Sequence, residues 1–139
     1  MMVYVDSSVV LRIMLDEPGA FLYSAEWDVA VTSELLRVEA LRTLDRLRVR
    51  GKVTDSYLAD KLRLLGKVTS GFCVVPIGPA VLARASSPFR TELGTLDAIH
   101  LATALLWIEE RDEPLTFLTH DAQQALAARA CGLEVRTAP

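Results

Sequence analysis

The sequence predicts an α/β fold of three layers, a central parallel sheet of four to five strands between helices, with a helical hairpin attached. Three observations carry this prediction. Short, Val-rich apolar runs alternate along the chain with longer segments of helical periodicity, and such alternation packs as a parallel sheet covered on both faces. Several of the apolar runs end in Asp, Ser or Thr, residue types that open a helix. The chain has 139 residues, 51% of them hydrophobic, which suits one domain with a full apolar core. Residues 1–139 are therefore expected to form a single domain.

Met2-Val3-Tyr4-Val5 is the first strand, since Val and Tyr suit a pleated, buried position. It meets Asp6-Ser7-Ser8, and the apolar residues from Val9 to Leu15 continue as a helix. Asp16-Glu17-Pro18-Gly19 breaks that pattern, and Pro18 can open a short helix over Ala20 to Glu26. Val29-Ala30-Val31 is the second strand. It runs through Thr32 and Ser33 into a helix that Ser33 can cap and Glu34 favours through the helix dipole. This helix extends to about Arg50, where Gly51 supplies a stop. The next helix, Ser56 to Thr69, carries Tyr57, Leu58, Leu62, Leu65 and Val68 at helical spacing, so the two make an αα-hairpin. Phe72 to Ile77 is the third strand, Pro79 to Ala85 a short helix, and Ser86 to Arg90 a loop. Thr95 to Arg111 is the most apolar helix. Leu115 to Leu118 is the fourth strand, Ala122 to Ala130 a helix stopped before Gly132, and Leu133 to Val135 a brief last strand.

The net charge of −3 offers nucleic acid no global attraction, so any such contact needs a local basic track. Cys73 and Cys131 lie far apart with no C-x-x-C spacing, as expected of reduced thiols in a cytoplasmic protein. Asp6 and Arg12 interrupt any apolar core of a secretory signal. The longest apolar stretch, Ala98 to Ile108, falls short of the ~20 residues that span a bilayer.

Four acids ask for more than local explanation. Asp6 and Asp121 each follow an apolar strand and can cap the next helix, a contribution of ~1 kcal/mol. Asp97 shares a helix face with Leu101, Ala104, Leu105 and Ile108, away from the polar stripe of His100, Thr103 and Trp107. An acid on an apolar face is desolvated unless it is paired or binds a cation. Glu39 lies between Leu35 and Leu36 in projection. An ion pair with Arg42 or support from Thr43 would explain it locally, at ~0.2–0.5 kcal/mol. Parallel-sheet geometry brings strand ends and helix starts to one edge, so the four would share a crevice. Carboxylates that close repel one another unless protonated or bridged by a cation. Oxygen ligands without Cys or His suit Mg²⁺ or Mn²⁺, and such a site serves phosphodiester hydrolysis. Ser7 and Thr119 can orient carboxylates, whereas Ser8 reads as an ordinary cap. His120 could assist catalysis, but a lone His at a strand end is more often structural, and His100 needs no role. Arg42, Arg46 and Arg50 fall on Glu39's side of the helix, a track that RNA phosphates can use.

The four segments together resemble the PIN domain family, and within it the VapC-type ribonuclease toxins. Val3-Tyr4-Val5-Asp6-Ser7-Ser8 looks like the opening strand with the first acid, and Arg37-Val38-Glu39-Ala40-Leu41-Arg42 like the segment with the second. Leu96-Asp97-Ala98-Ile99-His100-Leu101-Ala102-Thr103-Ala104 resembles the helix with the third, and Leu118-Thr119-His120-Asp121 the closing motif. The resemblance spans almost the whole chain. It implies an Mg²⁺- or Mn²⁺-dependent endoribonuclease in which Asp6, Glu39, Asp97 and Asp121 bind metal. It also implies an antitoxin partner held by the helical hairpin, and a homodimer. Some relatives carry a further acid where this chain has Gln123 and Gln124.

Three other readings are weaker. A phosphorylation receiver module needs a Lys after a late strand, but Lys52, Lys61 and Lys67 all lie in the hairpin. A haloacid-dehalogenase-like phosphatase needs a second Asp at position 8, which is Ser. A non-catalytic interaction domain with a decayed site would not be expected to keep four acids.

Overall fold

The computed structural model describes residues 1–20 and 27–137. The short helix expected from Ala20 to Glu26 lies outside the described residues, apart from Ala20 itself. The elements are β1 (Met2–Val5), α1 (Ser7–Met14), β2 (Val29–Ser33), α2 (Leu35–Val49), α3 (Asp55–Thr69) and β3 (Cys73–Val75), followed by α4 (Pro79–Ala85), α5 (Thr95–Arg111), β4 (Thr116–Leu118), α6 (Ala122–Ala130) and β5 (Glu134–Arg136). The five strands form one sheet in the order β3-β2-β1-β4-β5, every pair parallel.

β1 is the middle strand, and its Val3, Tyr4 and Val5 are fully buried. Alternation along the strand sends these side chains to two cores. Val3 and Val5 join Val9, Val10 and Met14 of α1, Leu36, Ala40 and Leu44 of α2, and Leu65 and Val68 of α3. Tyr4 faces the other way, onto Leu101, Ala104 and Leu105 of α5, Phe117 of β4, and Ala127 and Ala128 of α6. The hairpin thus has a double character: it covers one sheet face, while its far turn, Val49 to Lys52, stands in solvent. Lys61 is buried in α3, and its Nζ lies 2.9 Å from Asp16 Oδ2 just beyond α1.

Local chemistry explains the small departures at element ends. α3 begins one residue earlier than expected because Thr54 Oγ1 accepts the Tyr57 backbone N–H at 3.1 Å. β3 is shorter than Phe72 to Ile77; it is an edge strand followed by Pro76, which has no N–H to extend a ladder. The stripe of His100, Thr103 and Trp107 on α5 is buried, at 0%, 1% and 9% exposure, because this helix is enclosed nearly all round. Polar tips there must find partners inside the protein.

Candidate active site

The sheet order changes direction between β1 and β4, and ligands of open α/β sheets bind at the carboxyl ends flanking such a point. Val5 pairs with Leu118, and the Asp6 backbone N–H continues the ladder to the Leu118 carbonyl at 3.1 Å. Asp6 therefore emerges beside Thr119. Its carboxylate, in a residue only 2% exposed, makes no capping bond to α1. Instead Oδ2 accepts the Ser8 and Thr119 hydroxyls, both at 2.7 Å. Ser8 Oγ also takes the His120 N–H at 2.9 Å, and Thr119 Oγ1 the Asp121 N–H at 3.0 Å. These bonds lock the ends of β1 and β4 together. Asp6 Oδ1 is buried with no hydrogen bond.

Glu39 reaches the same place from α2. Neither local account of it describes its carboxylate: Arg42 pairs with Asp45 at 2.9 Å, and Thr43 donates to the Glu39 backbone carbonyl. Glu39 Oε1 lies 2.6 Å from His100 Nε2, an atom 3.8 Å from Asp6 Oδ1. The other ring nitrogen, Nδ1, is 2.8 Å from the Tyr4 hydroxyl. Burial pulls the His100 pKa down, but the Glu39 hydrogen bond and the charges of Asp6, Glu39 and Asp97 outweigh it and leave it raised.

Asp97 sits half-buried in the first turn of α5, and its carboxyl is pushed up to about 6. Burial is the largest cause, followed by repulsion from Asp6 and Asp121; His100 opposes them and Glu39 adds to them. Asp121 does cap α6, accepting the Gln124 N–H at 2.8 Å, and stays exposed. Gln124 Nε2 donates to the Asp97 carbonyl at 3.1 Å, tying α6 to the first turn of α5.

The PIN domain family model matches residues 3–130. The chain belongs to the PIN domain family. Ribonuclease VapC47 of Mycobacterium tuberculosis (strain CDC 1551 / Oshkosh) is 28% identical over 139 residues, 94% of this chain and 93% of that protein.

In this PIN domain His100 Nε2 meets Glu39 Oε1 at 2.6 Å and stands 3.8 Å from Asp6 Oδ1, and Asp97 feels the charges of Asp6, Glu39 and Asp121. Among the described residues, no three His, Cys, Asp or Glu side chains close on one point as an ion cage. Mg²⁺ keeps several waters and needs only one or two carboxylates, so the residues present fit it only with water completing the shell. The bare, buried Asp6 Oδ1 and the mutual repulsion at Asp97 are what a cation would relieve.

The remaining residues divide clearly. Ser7 is buried in the first turn of α1, and the hydroxyl on Asp6 belongs to its neighbour Ser8. His120 lines a pocket with Ser8, Arg12, Glu17 and Asp121; burial first, then the Arg12 charge, lowers its pKa. Arg42 and Arg46 are exposed along α2 and Arg50 at its C-cap, with Arg42 and Arg48 both paired to Asp45. His100, Tyr4 and Ser8 are the residues that sequence reasoning passed over. A usable signal was present: a Tyr in a central strand and a His in the most apolar helix must each be satisfied inside. Among the described residues no helix is long and apolar enough to cross a membrane.

Proposed function

We propose that this PIN domain is a metal-dependent endoribonuclease, the toxin of a toxin–antitoxin pair, which hydrolyses RNA phosphodiesters. The observation that carries the reading is a buried, unbonded Asp6 Oδ1 together with an Asp97 carboxyl raised by burial first and then by the charges of Asp6 and Asp121. The similar Mycobacterium protein, itself called a ribonuclease, supports the same activity class. Asp6, Glu39, Asp97 and Asp121 would hold Mg²⁺ or Mn²⁺, one or two of them directly and the others through its bound water. A divalent ion so held supplies charge stabilisation at phosphate oxygens and lowers the pKa of water. The chain's own part is to hold the carboxylates still. The Ser8 and Thr119 hydroxyls clamp Asp6 Oδ2 and leave Oδ1 for a ligand. Gln124 fixes the Asp97 turn against α6. The exposed arginines of α2 would meet the phosphates of an approaching RNA backbone.

The antitoxin reading draws on the hairpin. A cavity of about 130 Å³ lined by Thr32, Ser33, Leu36, Arg37, Leu65 and Val74 opens there, and Val38 and Val74 are exposed. An apolar antitoxin segment suits that surface. A homodimer and a cytoplasmic site of action complete the proposal.

Purified protein freed of antitoxin is expected to cleave structured RNA with Mg²⁺ or Mn²⁺ and to stop when EDTA is added. Asp97→Asn should slow cleavage by ~100-fold or more, since several kcal/mol of transition-state stabilisation depend on the ion. Equal cleavage by wild type and Asp97→Asn would sink the assignment, and no cleavage by either would favour an interaction domain.

A further inference from the structure

We propose that His100 is a positioning residue that holds the Glu39 carboxylate in the acid cluster, with Tyr4 behind it fixing which ring nitrogen does so. The proposal rests on the reading of Glu39 as a metal ligand. Its geometric basis is a buried chain from β1 through α5 to α2: Tyr4 hydroxyl to His100 Nδ1 at 2.8 Å, then His100 Nε2 to Glu39 Oε1 at 2.6 Å. Tyr4 and His100 are both wholly buried, and Tyr4 stacks on Phe117 at 5.0 Å between ring centres. Neither ring has room to turn away.

A carboxylate only accepts, so the hydrogen between His100 and Glu39 is on Nε2. In the neutral ring Nδ1 then accepts, and the Tyr4 hydroxyl is the donor that selects this tautomer. The arrangement answers a specific difficulty. Glu39 is a long side chain on a helix, and Asp97 repels its charge. Left alone, its carboxylate would be drawn outward to water. The Nε2–H holds Oε1 inward and leaves Oε2 as the oxygen for a cation. The same nitrogen stands 3.8 Å from Asp6 Oδ1, so one ring sets the spacing of two acids from different elements.

The test combines variants with a direct view of the ring. Mn²⁺ is titrated calorimetrically into wild type, His100→Asn, His100→Gln, Glu39→Gln and the double variant His100→Asn/Glu39→Gln. Asn cannot reach Glu39, whereas the Gln amide can stand near the place of Nε2. His100→Asn should weaken Mn²⁺ binding ~10–100-fold, the usual cost of losing a partner that orients a ligand. His100→Gln should restore most of that loss, and the double variant should bind no more weakly than Glu39→Gln alone. A Gln variant as weak as Asn, or a full further loss in the double variant, overturns the proposal.

Because a buried ring is replaced, ¹⁵N spectra of histidine-labelled wild-type protein provide the second arm. Recorded at alkaline pH, so that the neutral ring is seen, the expected spectrum has His100 protonated at Nε2 and shifted by Glu39→Gln; a proton on Nδ1 overturns the proposal. This arm needs no metal. A wild type that neither binds Mn²⁺ nor cleaves RNA would refute the nuclease reading, while the spectrum would still decide the link between His100 and Glu39.

Discussion

Asp97 is where stability and the proposed chemistry pull apart. Its folded pKa, about 6, lies above the ordinary 3.8. The folded chain thus binds this proton more tightly than the unfolded chain does. Stability from this group is fully present below 3.8, falls as pH rises, and is lost above about 6. Asp97→Asn is therefore expected to raise the melting temperature at neutral pH without divalent ions, and to change it little below pH 3.8. Discounting for water at a half-buried carboxyl, the gain is about 1 kcal/mol, a few degrees. Thermal melts at the two pH values check this, and equal shifts at both would falsify it. The four acids were legible singly because an acid beside apolar neighbours is conspicuous. Their partners were not: Asp6 was explicable as a cap, yet its oxygens face Ser8, Thr119 and His100.

Helix α2 carries both an acid of the site and the arginine track. The arginines are not equivalent. Arg42 and Arg48 share Asp45, whose pKa is lowered, chiefly by its hydrogen bond to Arg48. Arg46 is exposed one turn further on. On the proposed RNA reading, Arg46→Ala should reduce the slope of log affinity against log salt by ~1, the signature of one lost phosphate contact, and Arg42→Ala by less. Filter binding at several salt concentrations measures both, and the reverse ranking would move the RNA path. Helix limits were readable where capping residues, Pro or Gly mark them, so α4, α5 and α6 begin and end where expected. The edge strands were less so, because a strand's length depends on what its neighbour offers to pair with.

Across the molecule, β1 has a partner on each side and a core on each face. Its amides should be among the slowest to exchange with deuterium, at close to the global unfolding free energy, whereas those of the edge strands β3 and β5 should exchange through local opening. Mass-spectrometric exchange resolves the three strands, and equal protection of β3 and β1 would contradict the prediction. The middle position of β1 also makes the site: Asp6 leaves it where β2 and β3 lie on one side and β4 and β5 on the other.

The α/β class, the order of elements and the four acids follow from the sequence alone, because periodicity, capping and turn chemistry act over a few residues. The partners of the buried polar groups were decided by tertiary structure. Glu39 meets His100 across 61 residues, His100 meets Tyr4 across 96, and Asp6 meets Thr119 across 113. No local rule spans such distances. A buried carboxylate or imidazole takes whatever donor or acceptor packing brings within 3 Å, and only the assembled sheet determines which one that is.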